Sequence, residues 1–147
     1  MIYLDDFIDK REGKRIDFDN FAGYQCNDLT RQWLKERGLP QYKALGDNWV
    51  KNIAFNPNYF IPKPLKWVKN NQRATNQVPK RGDIIIFSQP SKTGHIAIVV
   101  WSTIWLNSIR VFEQNASLGT GTWLYWDACK QRTKTYKYVM WRIDIWH

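Results

Sequence analysis

From Asp83 to the C-terminus the chain is a succession of short runs rich in β-branched and aromatic residues: "DIIIFS", "HIAIVVWS", "SIRVFEQN", "TWLYWD" and "YKYVMWRIDIW". The first follows a Pro-Lys-Arg-Gly turn signal, and the rest follow at short spacing, the pattern of strands joined in an antiparallel meander. The "RGD" of that turn matches an adhesion tripeptide but reads as the turn into a strand. The N-terminal half has a different period. "IYLDDFIDKREG" puts Ile2 or Tyr3, Leu4, Phe7 and Ile8 on one side, which predicts a first helix ended by Gly13. Residues 15–25 form a loop. "CNDLTRQWLKERG" predicts a second helix, with Cys26, Leu29, Trp33 and Leu34 facing inward and Gly38 as its stop. "NWVKNIA" predicts a short third helix. Residues 56–82, with Pro57, Pro62, Pro64 and Pro79, are expected to be mostly irregular. Helices first and strands second give an α+β domain, with the helices packed on one side of the antiparallel sheet.

At 147 residues the chain suits a single domain over 1–147, long enough to bury a core without disulfide staples. Hydrophobic residues at 44%, with nine tryptophans, argue against disorder. The N-terminus "MIYLDDFIDKREGKR" is charged throughout, and the longest apolar run, "HIAIVVW", is far short of a membrane span. A soluble protein made without a Sec-type signal is expected, and any action outside the plasma membrane needs another route of delivery. The net charge of +9 favours an anionic partner: a nucleic acid, an acidic polymer or a membrane surface. The basic residues are scattered and form no block like a nucleic-acid tail.

Only two cysteines are present, Cys26 and Cys129. Thiol chemistry needs thiolate, and the first turn of a helix favours it through unpaired N–H groups and the helix dipole. Cys26 sits at such a point; Cys129, in "WDACKQRTK", does not, and reads as structural. A cysteine nucleophile needs a base. His147 is the last residue, where chains are poorly held. His95, in "KTGHIAIVV", falls at the mouth of an apolar strand behind Gly94. The base in turn needs an orienting partner. "RVFEQNAS" offers Glu113 and Asn115, two apart on a strand and so on one face, in the run expected to pair with the His95 strand. Each residue taken singly has an ordinary structural role available. The order helix-Cys, strand-His, strand-Glu/Asn is more specific than any one member.

The loop before Cys26 carries a second pattern. Asp17, Asp19, Phe21, Gly23 and Asp28 occupy relative positions 1, 3, 5, 7 and 12, the ligand spacing of an EF-hand calcium loop. The fit is imperfect: Phe21 could offer only its carbonyl, Ala22 replaces the usual glycine and Asp28 the usual glutamate. Three carboxylates and two carbonyls make a hard-oxygen site suited to Ca²⁺. The competing possibility is a solvated turn in which Asp28 favours the helix N-terminus.

"DFDNFAGYQCNDL", "RGDIIIF", "TGHIAIVV" and "VFEQNAS", in this order and spacing, resemble the CHAP domain (cysteine, histidine-dependent amidohydrolase/peptidase) of bacteriophage endolysins and other Gram-positive wall lysins. The likeness runs from about Asp5 to the last strand. It implies a papain-like α+β fold with Cys26 as nucleophile, His95 as general base and acid, Glu113 as orienter, and Asn115 in orientation or oxyanion binding. It also implies Ca²⁺ held by Asp17, Asp19, the Phe21 and Gly23 carbonyls and Asp28. Backbone N–H groups at the helix start, with Gln25 or Asn115, would hold the oxyanion. The implied substrate is peptidoglycan, cut at the N-acetylmuramoyl–L-alanine amide or at a stem- or bridge-peptide bond. The implied protein is a monomer that reaches the wall after release from the host cytoplasm, or as part of a virion, with its positive charge drawn to anionic wall polymers. No nucleic-acid partner is then expected. Two other functions compete: a basic nucleic-acid-binding module whose aromatics stack on bases, and a wall-binding protein without turnover.

Overall fold

A computed structural model describes residues 2–20, 24–43, 50–69, 78–87, 94–103, 107–114, 128–135 and 139–145. Four helices come first: α1 (Leu4–Arg11), α2 (Cys26–Glu36), α3 (Val50–Phe55) and α4 (Pro57–Phe60). Six strands follow: β1 (Lys66–Lys69), β2 (Ile84–Phe87), β3 (His95–Thr103), β4 (Ser108–Glu113), β5 (Lys130–Thr135) and β6 (Val139–Asp144). Every pairing among the described residues is antiparallel, in the order β1-β6-β2-β3-β4-β5. The expected α+β class and the hairpin of β3 with β4 are both present. No helix among the described residues is long and apolar enough to cross a membrane.

The sheet departs from a simple meander. β2 to β5 run in chain order, but β6 crosses back to pair with β2, and β1 pairs with β6 outside it. Three elements were not expected from the sequence. The proline-rich stretch holds α4, begun by Pro57 at its first position, where the missing N–H costs nothing. It also holds β1, whose "KWVK" is too short to show a period. β5, "KQRTKT", lies where no strand was expected. The "TWLYWD" run and residues 44–49 fall outside the described residues.

The two faces of the sheet have separate apolar sets. Ile84, Ile86, Ile96, Ile98, Phe112 and Ile143 pack with the helices, while Ile85, Phe87, Ala97, Val99, Ile109, Val111 and Val139 form a second buried cluster. On the helix side Phe7 sits between Trp33 and Phe112, with ring centroids 5.0 and 6.2 Å away. Trp33 Nε1 donates to the Gly82 carbonyl at 2.9 Å, which ties α2 to the turn before β2. Leu29, Trp33 and Leu34 are buried as the helical period requires, whereas Tyr3 points out and Ile2 packs inward.

Candidate active site

α2 starts at Cys26 because its first turn is braced from two sides. Gln25 precedes it with extended backbone, and the Gln25 N–H donates to Asp28 Oδ2 at 2.7 Å, the return arm of a capping box. The Asn27 carbonyl accepts from the Tyr42 hydroxyl at 3.1 Å and from Thr30 Oγ1 at 3.0 Å, and those two hydroxyls lie 2.6 Å apart. Burial pushes the Tyr42 phenol well above its usual range, so it stays neutral and serves as a hydrogen-bond donor. Cys26 is thus presented, half-buried and as a free thiol, on a rigid helix end.

His95 opens β3. Gly94 before it has φ +79°, a backbone that side-chain-bearing residues resist, and this turn aims the ring at the end of the sheet. His95 pairs with Phe87 across β2 and β3, and the two rings stack at a centroid distance of 6.2 Å. Nε2 lies 2.8 Å from Glu113 Oε2. Cys26 is close enough to the same ring to act on its protonation. The two ring nitrogens point apart, so Nδ1 is the one left for the thiol. Burial disfavours the charged ring, but the hydrogen bonds and charges of Cys26 and Glu113 outweigh it and raise His95 to about 9.

Glu113 ends β4 and is 1% exposed. Burial alone would raise its carboxyl, yet His95 and then Lys134 prevail and hold it below its ordinary value. Lys134 Nζ is 2.8 Å from Oε2, and Arg132 Nε is 3.4 Å from Oε1. One carboxylate therefore serves an imidazole and two cations. In the sequence Lys134 and Arg132 read only as two of the scattered basic residues, since β5 has no apolar period. A signal existed: Lys130, Arg132 and Lys134 alternate, so they share one face, and Lys130 is directly opposite Glu113.

The acidic loop converges as its spacing predicts for the residues described. Asp17, Asp19 and Asp28 each bring an oxygen to within 4.8 Å of the others. Asn20 turns the loop with φ +55°. Arg31 Nη1 binds Asp19 Oδ2 at 2.6 Å, and its guanidinium lies 4.5 Å from the centre of the Phe18 ring. Asp28 has no exposed surface. Burial pushes its carboxyl up to about 7; the Gln25 N–H opposes this, and the charges of Asp19 and Asp17 add to it. Oδ1 of Asp17 and Oδ1 of Asp28 are buried without a hydrogen-bond partner among the described residues. Converging hard-oxygen donors with spare buried lone pairs fit a divalent cation of the Ca²⁺ type. Phe21, Gly23 and Asn115 lie outside the described residues. Gln25 stands at the helix start, next to Cys26.

Cys129, expected to be structural, is fully buried, and burial raises its thiol to about 12.

The CHAP domain family model matches residues 16–115, a span that opens on the acidic loop and closes just past Glu113. Among solved structures the chain is similar to a wild-type endolysin, LysIME-EF1, with a TM-score of 0.72 at 18% identity over 98% of this chain. At that identity the likeness is one of fold, and this chain spans 64% of that one. A comparison with curated proteins gives no match. The family match covers more than half of the sequence and encloses the cysteine, the histidine and the glutamate whose geometry is described above, and the chain belongs to the CHAP domain family.

Proposed function

We propose that the chain is a thiol-dependent peptidoglycan hydrolase that cleaves an amide or peptide bond of the wall peptide. The observation that carries this is the row of Cys26 on the α2 end, His95 on the β3 end and Glu113 on β4, with the ring hydrogen-bonded to Glu113 and raised in pKa by both neighbours. In the reaction, the Cys26 thiol gives its proton to His95, and its sulfur attacks the carbonyl carbon as the carbonyl π pair moves to oxygen. Backbone N–H groups at the start of α2, with Gln25 or Asn115, stabilise that oxyanion. His95 gives its proton to the leaving nitrogen as the C–N bond breaks, which leaves a thioester on Cys26. Water, deprotonated by His95, then attacks the thioester and releases the carboxylate and the thiol. Either the N-acetylmuramoyl–L-alanine amide or a stem- or bridge-peptide bond meets these requirements. The +9 charge supplies attraction to anionic wall polymers. Zymography on Gram-positive walls together with iodoacetamide labelling of Cys26 at neutral pH tests the proposal. Labelling without lysis would leave a wall-binding protein, and neither result would leave the mechanism without support.

For the metal we propose Ca²⁺ at Asp17, Asp19 and Asp28, with the Phe21 and Gly23 carbonyls. Bound there, the cation would neutralise crowded carboxylates and pin the loop to the nucleophile helix. The protein residues alone carry the chemical steps.

The charges around Glu113 yield two opposed predictions. Glu113→Gln removes the anion that orients and stabilises the imidazolium, and lysis is expected to fall by roughly ten- to a thousand-fold. The proton on His95 is needed by the leaving group, so activity should hold through neutral pH and decline as pH rises through about 9. In Glu113→Gln that alkaline decline moves to lower pH. In Lys134→Met the cation beside the pair and over the Phe87 ring is lost while a side chain of similar length is kept, and the decline moves to higher pH. Rate–pH profiles of the three proteins check both signs. A shift in the same direction for both variants would contradict the assignment.

A further inference from the structure

One fully buried side chain between α2 and the sheet has no part in the chemistry above. Gln114 follows Glu113 directly, and its carboxamide makes four hydrogen bonds to three segments. Its Oε1 accepts from the Ile16 N–H at 2.6 Å, and its Nε2 donates to the Ile16 carbonyl at 2.7 Å. The amide thus pairs with the backbone of residue 16 as a neighbouring strand would. Nε2 also donates to the Gln25 carbonyl at 2.9 Å. Cys129 Sγ donates to Oε1 at 3.2 Å. Both amide hydrogens and both oxygen lone pairs are used.

The partners are what give Gln114 its meaning. Gln25 is the residue before the nucleophile, and Ile16 is the residue before the first carboxylate of the acidic loop. One amide therefore closes the loop at its base and fixes the start of α2. On the opposite face of the sheet the preceding residue, Glu113, holds His95. The last two residues of this stretch thus hold the His95 ring directly and, through the Gln25 carbonyl, the helix end that carries Cys26, one from each face. We propose that Gln114 is a positioning residue: it sets the distance and direction of the Cys26 thiol from His95 by anchoring the α2 end to the end of β4. This rests on the hydrolase assignment for its kinetic consequence, though not for its geometry.

Gln114→Asn keeps the amide and shortens the arm by one carbon–carbon bond, about 1.5 Å. The bonds to Ile16 and Gln25 cannot both be kept. Displacements of this size cost about a hundredfold in rate when they misplace a reacting group. Gln114 is buried away from any ligand, so wall binding should not change. For Gln114→Asn, kcat on wall suspensions is expected to fall about a hundredfold, with the half-saturating wall concentration unchanged to within about twofold. Iodoacetamide labelling of Cys26, located by mass spectrometry, should slow about tenfold relative to the folded wild type. The reference for stability alone is Ile85→Val, in the cluster on the other face, which lowers the melting temperature and leaves kcat per folded molecule in place. Circular dichroism sets an assay temperature at which every variant is folded. If Gln114→Asn does not fold, Gln114→Met, of matching length, carries the same readouts. A melting-temperature loss with normal kcat and normal labelling overturns the proposal, and so does failure of both variants to fold, since the amide would then serve folding alone. Labelling needs no wall. Lysis by Cys26→Ser would sink the hydrolase assignment and leave the labelling result to judge Gln114.

Discussion

Cys26→Ser is expected to abolish wall lysis, by at least about ten-thousand-fold, while the melting curve stays close to that of the wild type. Serine is nearly the same size as cysteine, and the site is half-buried at a helix start, so packing and capping of α2 survive. What is lost is the nucleophile. A hydroxyl gives up its proton far less readily, and its bond to His95 cannot supply an anion of comparable reactivity. His95→Ala should be as severe for a different reason: the thiol keeps its place but loses its proton acceptor and the leaving group loses its donor. That variant also strands Glu113 with Lys134 and Arg132, so some loss of stability is expected beside the loss of rate. Turbidity loss of purified walls and circular dichroism on the same samples check both. Wild-type lysis by either variant would remove Cys26 and His95 from the reaction. Cys129→Ser preserves a donor to Gln114 Oε1, and its activity should stay within about threefold of wild type.

Removal of divalent cations is expected to produce the second large effect. Three carboxylates approach within 4.8 Å at the foot of α2, and two of their oxygens are buried without partners among the described residues. Arg31 offsets the charge of Asp19 alone. A cation that binds only the folded state adds stability in proportion to the logarithm of its concentration over its dissociation constant, about 2.7 kcal/mol at a hundredfold excess. EDTA should therefore lower the melting temperature and lytic rate together. Ca²⁺ should restore both, and Mg²⁺ less well, because it gives up water reluctantly and demands a tighter octahedron. Asp17→Ala and Asp19→Ala should abolish the calcium response. Superimposable melting curves of metal-stripped protein with and without millimolar Ca²⁺, with full activity in EDTA, would reduce the loop to an ordinary turn.

The parts of the fold legible in the sequence were those whose environment imposes a pattern. β2, β3 and β4 are buried, and their runs of isoleucine and valine announce it. α2 alternates at the helical period and carries its stop at Gly38. Cys26, His95 and Glu113 were legible as an ordered set because each sits where an element begins or ends. β5 was not legible. It lies at the margin of the sheet, is polar along its length, and acquires its role from a carboxylate that precedes Lys134 by some twenty residues. β6 returns across β2 through a pairing that no local pattern encodes. Gln114 was passed over because alternation directs attention to Glu113 and Asn115, on one face, and skips the residue between them. Its partners are all distant in sequence, and its value lies in hydrogen bonds that no composition reveals.

The cations of β5 have an effect beyond the one they exert on Glu113. Among the described residues β1 and β5 are the two outer strands of the sheet, and outer strands are where one sheet can recruit another into a growing ladder. β1 carries Lys66 and Lys69, and β5 carries Lys130, Arg132 and Lys134. Two copies that met margin to margin, in any of the possible combinations, would bring like charges to the distance of a backbone hydrogen bond. The same strand that steadies the glutamate thus guards the molecule against self-assembly, and a charge-neutral β5 should make the protein polymerise as its concentration rises.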